Sequence, residues 1–342
     1  ALVAHAPDVI ALESAQPPPQ LPWLGADTME AVPAARTAKR SLASDWWVYS
    51  FTQLANADAG HDLSTAATQP AAGGRDEPED NPDAAPADAA EFDPRFGGAR
   101  FGVVLHEVFE NTDFAAWHAW RPGDEAPESE RKKITDALGK GGYGADDMDD
   151  GVAVIAPMIG HSLTAVLPEG VALTRVPEQD RRAEIEFQFS LAPTRVDALL
   201  ALLHGHGLLT ARQGFGMRRR LEGLMTGLID LTYLHDGRWY VLDWKSNRLP
   251  GYGPAQLEEA MAHSEYHLQA LIYTVALHRW RRFRLGDGYD CARDFGGARY
   301  LFCRGIDAAG NTGQGIQAWR FEPELVHALD ALFAGETSGA AA

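Results

Sequence analysis

The 342-residue sequence predicts an α/β fold, with helices flanking a few strands, on three observations. Two β-rich runs meet at Asp236-Gly237, a strong hairpin signal because a type I′ turn needs positive φ at both central residues. The run Ala183-Glu184-Ile185-Glu186-Phe187-Gln188-Phe189 alternates strictly, which turns Ile185, Phe187 and Phe189 inward on a half-buried strand. Helical periodicity surrounds both features, most extensively over 255–284.

Along the chain, residues 1–55 carry Pro17-Pro18-Pro19 and then Trp46-Trp47-Val48-Tyr49-Ser50-Phe51, and read as the tail of a preceding unit. The opening residues lack Met and the basic start and apolar core of a signal peptide, so a fragment or processed chain is expected. Residues 56–94 read as an acidic, Ala/Pro/Gly-rich disordered linker. Residues 56–99 hold ten acids against two arginines, eight of the eighteen net negative charges of the chain. A compact region is expected over 95–335, with helices at about Phe101 to Trp120 and 129–138. Asp146-Asp147-Met148-Asp149-Asp150, after the glycine-rich Gly139-Lys140-Gly141-Gly142, reads as a solvated loop. A strand at 183–189, a helix at 194–204, the hairpin at 226–246, the helix at 255–284 and a strand near 298–304 follow. A helix after Glu322-Pro323-Glu324 closes the fold, and 336–342 form a flexible tail.

Composition excludes several classes. With 45% hydrophobic and 23% charged residues the chain is globular in type. No run approaches the roughly 18 apolar residues of a membrane span. Two cysteines, Cys291 and Cys303, suit a reducing cytosol and are too few for a disulfide framework, a four-Cys zinc site or a four-thiolate iron–sulfur cluster. No G-x-x-x-x-G-K-[ST] occurs, so ATP hydrolysis is not expected of this chain. Although the whole is acidic, arginines bunch at Arg212, Arg218-Arg219-Arg220 and Arg279, Arg281, Arg282 and Arg284, which points to a local anionic partner or to helix C-terminal charge.

The hairpin carries the chemistry. If Asp236-Gly237 forms the turn, His235 faces Arg238 and Asp230 faces Asp243, with Cβ atoms roughly 5 Å apart. Lys245 lies two residues on, hence on the same face as Asp243. Opposed carboxylates destabilise a strand pair unless a cation offsets them, and aspartate oxygens are hard ligands suited to Mg²⁺ or Mn²⁺. The other face, Ile229, Leu231, Tyr233, Tyr240, Leu242 and Trp244, is apolar or aromatic. An ordinary Asp230–Lys245 ion pair on a solvated face is the plainer alternative.

Gly227-Leu-Ile-Asp230-Leu, Tyr240-Val-Leu-Asp243-Trp-Lys245-Ser-Asn247 and Gln269-x-x-x-Tyr273 resemble the PD-(D/E)xK nuclease superfamily, and within it the RecB-type nuclease domain. Gly102-Val-Val-Leu-His106, Tyr266 to His278 and Tyr300-Leu-Phe-Cys-Arg-Gly305 resemble it too, in the expected order. The resemblance implies a restriction-endonuclease-like core, a small mixed sheet flanked by helices, and an exodeoxyribonuclease V type of DNA hydrolysis. It implies His106, Asp230 and Asp243 as metal ligands for Mg²⁺ (Mn²⁺ possible), with Asp230, Asp243 and Lys245 catalytic. From the residues alone, His106 would be a core histidine, and Gln269 and Tyr273 a helix edge. The resemblance makes Tyr266, Gln269 and Tyr273 supporting or DNA-contacting, and Glu184, ahead of Glu186, the further acid near the metal. It places residues 1–55 at the end of a helicase region, with ATP used only there. It also implies DNA ends, RecC and RecD subunits and the recombinase RecA as partners, in a bacterial cytoplasm. A docking module that recruits recombinase without cutting is the rival. A related nuclease with an iron–sulfur cluster conflicts with the cysteine count, and type II restriction enzymes fit the ordered blocks poorly.

Overall fold

The computed structural model describes residues 46–58, 93–310 and 313–336, so the expected linker, the tail and residues 1–45 lie outside the described residues except at their edges. One mixed six-stranded sheet organises the described part. Its strands are β1 (Trp47–Tyr49), β2 (Arg181–Arg195), β3 (Arg220–His235), β4 (Arg238–Lys245), β5 (Phe295–Phe302) and β6 (Ile316–Trp319). The helices are α1 (Phe51–Ala55), α2 (Gly98–Asn111), α3 (Glu128–Lys140), α4 (Met148–Thr164), α5 (Val196–Gly205), α6 (Pro254–His263), α7 (Tyr266–Leu285), α8 (Cys291–Asp294) and α9 (Pro323–Ala334).

The sheet runs β1-β3-β4-β5-β6, with β2 also on β3. β2 lies antiparallel to β3 from the Arg181–Tyr233 pair to the Arg195–Arg220 pair, so β1 and β4 share the other edge of β3. β1 runs parallel at Gly223–Met225, and β4 runs antiparallel from Leu231 to His235. Between these two contacts the long strand forks, and Asp230 stands at the fork. β4 continues into parallel β5, pairing Asp243 with Tyr300 and Lys245 with Phe302, and β5 pairs antiparallel with β6. The hairpin register matches expectation: His235 pairs with Arg238, and Asp236 and Gly237 have φ of 47° and 75°.

Both sheet faces are covered. Leu268, Leu271, Ile272 and Val275 of α7 bury one face with Val241, Ala298 and Phe302; Leu325, Val326 and Leu329 of α9 join them. Phe101, Leu105 and Phe109 of α2, with Ile155 and Ile159 of α4, bury the other against Leu231, Tyr233, Leu242 and Trp244. Phe109 stacks on Trp244 at 3.8 Å between ring centroids, nearly parallel. The solvated face of the plainer alternative is therefore absent: Asp243 and Lys245 are buried beneath α7.

Several expectations shift. Trp47–Tyr49 and Phe51–Ala55, assigned by sequence to a preceding region, form β1 and α1, with Tyr49, Phe51 and Leu54 in the core of the sheet. The acidic 146–150 segment enters α4 instead of forming a loop; its aspartates sit in or just before the first turn, where they complement the helix dipole. Three of them also pair with arginines, Asp147 and Asp150 with Arg95 and Asp149 with Arg131. The helix expected to run to Trp120 stops at Asn111, followed by a single turn over Phe114–Trp117. The helix expected over 255–284 breaks at Ser264-Glu265, where Glu265 has φ of 51°. Buried Arg212 holds that break: it donates to Glu265 at 2.7 Å and to the carbonyls of Leu54, Ala55 and Gly214. Ile229 packs with the α7-side core while Leu231 packs with the α2-side core, so the expected single apolar face reverses at Asp230.

Candidate active site

The reversal has a local cause. Glu184 lies opposite Asp230 in β2, and neither residue pairs in the ladder, which passes from Ala183–Leu231 to Ile185–Ile229. Glu184 has φ of 50°, a left-handed conformation that costs a non-glycine residue about 1–2 kcal/mol. Such strain persists where surrounding structure imposes it, commonly at functional sites. Freed from the ladder, the Asp230 carboxylate turns toward β4 and accepts the backbone N–H of Trp244 at 2.8 Å. That bond takes over where the β3–β4 ladder ends.

Helix α2 supplies the third group. His106 sits among Val104, Leu105 and Val108 on the buried face, and its Nδ1 lies 3.4 Å from Asp230 Oδ2. Ligand atoms of His106, Glu184 and Asp230 all lie within 4.8 Å of one another. One imidazole nitrogen and two carboxylates form a donor set suited to a hard divalent ion with open positions. The electrostatics fit: burial, then the neighbouring Asp230, push the Glu184 carboxyl up to about 8. A cation there would relieve that repulsion. Of the two acids weighed from the sequence, Glu184 turns to the cluster while Glu186 is exposed.

Asp243 and Lys245 stand beside this cluster. Lys245 Nζ is 2.6 Å from Asp243 Oδ2, and both side chains are at most 4% exposed. Burial raises the Asp243 carboxyl, Lys245 opposes that shift, and Asp230 adds to it. Asp243 pairs with Lys245, while Glu184, His106 and Asp230 bring their donor atoms together. The Lys245 ammonium also lies 4.1 Å over the Tyr266 ring and 5.6 Å from the Tyr300 ring, a cation–π contact among buried side chains.

The helix α7 motif lies beneath. Gln269 donates to the Tyr273 hydroxyl at 3.1 Å and accepts from the Tyr300 hydroxyl at 2.9 Å, all three buried. Tyr266 donates to Asn247 at 3.4 Å. Tyr266, Gln269 and Tyr273 therefore brace the floor under Lys245. Tyr300 and Asn247 belong to the same bracing and were not singled out from the sequence. The signal for Tyr300 was its place in Tyr300-Leu-Phe-Cys-Arg-Gly305, on a strand alternating toward the same face as Phe302.

A forked strand carrying an aspartate, a facing Asp-x-Lys strand, and an acid and a histidine from flanking elements form a nuclease-type core with a candidate metal site. The PD-(D/E)XK nuclease superfamily pattern matches residues 83–336, and the chain belongs to that superfamily. The chain is similar to the RecBCD enzyme subunit RecB of Escherichia coli K12, 33% identical over 96% of this chain and 27% of the relative. It is likewise similar to RecB of Mycobacterium tuberculosis, 33% identical over 86% of this chain and 29% of the relative. RecB of Haemophilus influenzae matches at 32% over 69% of this chain and 18% of the relative. The chain thus spans under a third of the length of these curated relatives.

Proposed function

We propose that this chain is the DNA-cutting module of a RecBCD-type helicase–nuclease, a Mg²⁺-dependent exodeoxyribonuclease acting on linear DNA ends. The observation that carries the reading is the His106–Glu184–Asp230 cluster set against the buried Lys245–Asp243 pair. A divalent cation held by those three residues would supply Lewis-acid polarisation of the scissile phosphate and a lowered pKa for an attacking water. The chain's own residues do the rest. Lys245 places fixed positive charge where the pentacoordinate phosphate gains negative charge, and Asp243 aims it. The Tyr266, Tyr300 and Gln269 bracing keeps the ammonium from swinging away, which matters because catalysis falls steeply with displacement of about 1 Å. Trp244 N–H fixes the Asp230 carboxylate, an orienting contact of the kind that sets ligand geometry.

A docking role without cutting is disfavoured by the same features. A buried Asp–Asp–Lys set and a left-handed Glu184 reduce stability, and docking alone would gain nothing from them. RecC and RecD subunits, RecA and a bacterial cytoplasmic setting follow from the likeness to RecB and belong to this proposal. Among the described residues no helix is long and apolar enough to cross a membrane. The test is degradation of end-labelled linear single- and double-stranded DNA, with a covalently closed circle as control. Mg²⁺-dependent loss of the linear substrates, abolished by EDTA and spared on the circle, is expected. Cutting that persists in EDTA, or equal cutting of the circle, would overturn the reading.

A further inference from the structure

A second cluster lies away from the nuclease site. His278 is twelve residues past Tyr266 on α7, roughly 18 Å along the helix axis. Around it stand Cys291, at the start of α8, and His327, on α9, and ligand atoms of the three all lie within 4.8 Å of one another. His278 is 3% exposed and Cys291 5%, whereas His327 opens to solvent.

The two ring nitrogens of His278 have different surroundings. His278 Nδ1 is 3.2 Å from the Tyr289 hydroxyl, and that hydroxyl is hydrogen-bonded to the Cys291 sulfur. The Tyr289 hydroxyl thus engages Nδ1 of the ring and leaves Nε2 as the nitrogen facing the rest of the cluster. Nε2 is buried and makes no hydrogen bond. The Asp330 carboxylate, 3.7 Å from Nε2, is held by Arg279 and Arg282. A buried ring nitrogen without a hydrogen bond is costly, and a water or an ion can satisfy it. The Nδ1···Tyr289 contact is of the outer kind that orients metal-bound histidines.

We propose that His278, Cys291 and His327 form a soft-donor metal site that takes Zn²⁺. One sulfur and two imidazoles match zinc and disfavour Mg²⁺, which prefers oxygen. Binding exchanges the Cys291 thiol proton for the metal and releases that proton to solvent. The exposed His327 side gives the ion its entry path and leaves the fourth position to water. The ion clips the C-terminal half of α7 to α8 and α9, at the end of α7 remote from Lys245.

The test uses the full chain, stripped with chelator and titrated with Co²⁺ and then Zn²⁺. The expected result is one equivalent of cobalt giving a thiolate-to-metal charge-transfer band with tetrahedral visible bands, displaced by zinc. The nuclease cluster holds no sulfur, so cobalt there gives no such band, and success or failure of the nuclease reading leaves this assay unaffected. Cys291→Ser should abolish the band, and Cys303→Ser should leave it intact. His327→Ala, at an exposed position, should fold normally by circular dichroism and weaken binding by roughly 100-fold or more, beyond the 10–100-fold typical of an outer-shell loss. Folded chain that shows no thiolate band, or a band that survives Cys291→Ser, would overturn the proposal.

Discussion

Replacing Glu184 by glutamine or by glycine separates two burdens that this position carries in the metal-free protein. The carboxyl is pushed up to about 8 from 4.5, chiefly by burial and then by Asp230. Each tenfold change in proton affinity is worth about 1.4 kcal/mol, and discounting for the partial exposure of the side chain leaves a charge burden of about 2 kcal/mol at pH 8. The sign follows from the raised value: the folded state binds the proton more tightly than the unfolded chain. Metal-free stability is therefore greatest near the unfolded value and falls as pH rises toward 8. Glu184→Gln removes that slope and should stabilise the metal-free chain by about 2 kcal/mol at pH 8 and by little at pH 4.5. Glu184→Gly also relieves the left-handed strain of about 1–2 kcal/mol, offset by about 1 kcal/mol of added freedom in the unfolded chain. Both substitutions should lose stabilisation by Mn²⁺. Urea unfolding in EDTA at both pH values, repeated with Mn²⁺, reads all of this. A gain from Glu184→Gln that is equal at both pH values, or wild-type stabilisation by Mn²⁺ in either variant, would refute the reasoning.

Three further outcomes are expected. Arg212→Ala strands three backbone carbonyls and the Glu265 carboxylate, and should cost about 3 kcal/mol in urea unfolding, because breaking a buried ionic network leaves its partners unpaired. At Gly223, φ is 146° and an added Cβ would lie 1.8 Å from the Trp47 carbonyl oxygen, so Gly223→Ala should expel β1 and cost about 3 kcal/mol or more, seen as faster amide exchange at Val48 and Tyr49. Burial lowers His267 and His278 to about 4, so the stability they contribute is present above 6.5 and lost as pH falls toward 4. In zinc-free buffer, urea midpoints followed across that window should decline, and His267→Asn should flatten part of the decline.

The hairpin was legible because turn chemistry and strand period are local. Asp236-Gly237 fixed the register, and the register carried Asp230 toward Asp243 and put Lys245 beside it. The strand at 183–189 and the closing helix were legible for the same reason, since alternation and Pro at the helix start are short-range signals. What escaped depends on contacts distant in sequence. The edge strand β1 is three residues long and is defined by its pairing with Gly223, far along the chain. The aspartates leading into α4 look like a loop until their pairing with Arg95 and Arg131 is known. The break before α7 is set by Arg212, which no periodicity reveals. At the site, alternation led to a single apolar face from Ile229 to Trp244, and the unpaired Glu184–Asp230 crossing reverses it. That crossing also brings Glu184 beside His106 and Asp230, a contact that pairing arithmetic alone did not contain.

The central claim is that His106, Glu184 and Asp230 hold the metal while Lys245 acts on the phosphate. The most direct test compares Mn²⁺ binding, by electron paramagnetic resonance, with DNA cleavage in the wild-type chain, Lys245→Ala and Asp230→Asn. The account predicts that Lys245→Ala binds Mn²⁺ and cuts at least about 100-fold more slowly, the loss expected when one transition-state stabilising group is removed. Asp230→Asn should lose both binding and cutting. Wild-type cleavage by Lys245→Ala, or undiminished Mn²⁺ binding by Asp230→Asn, would contradict it.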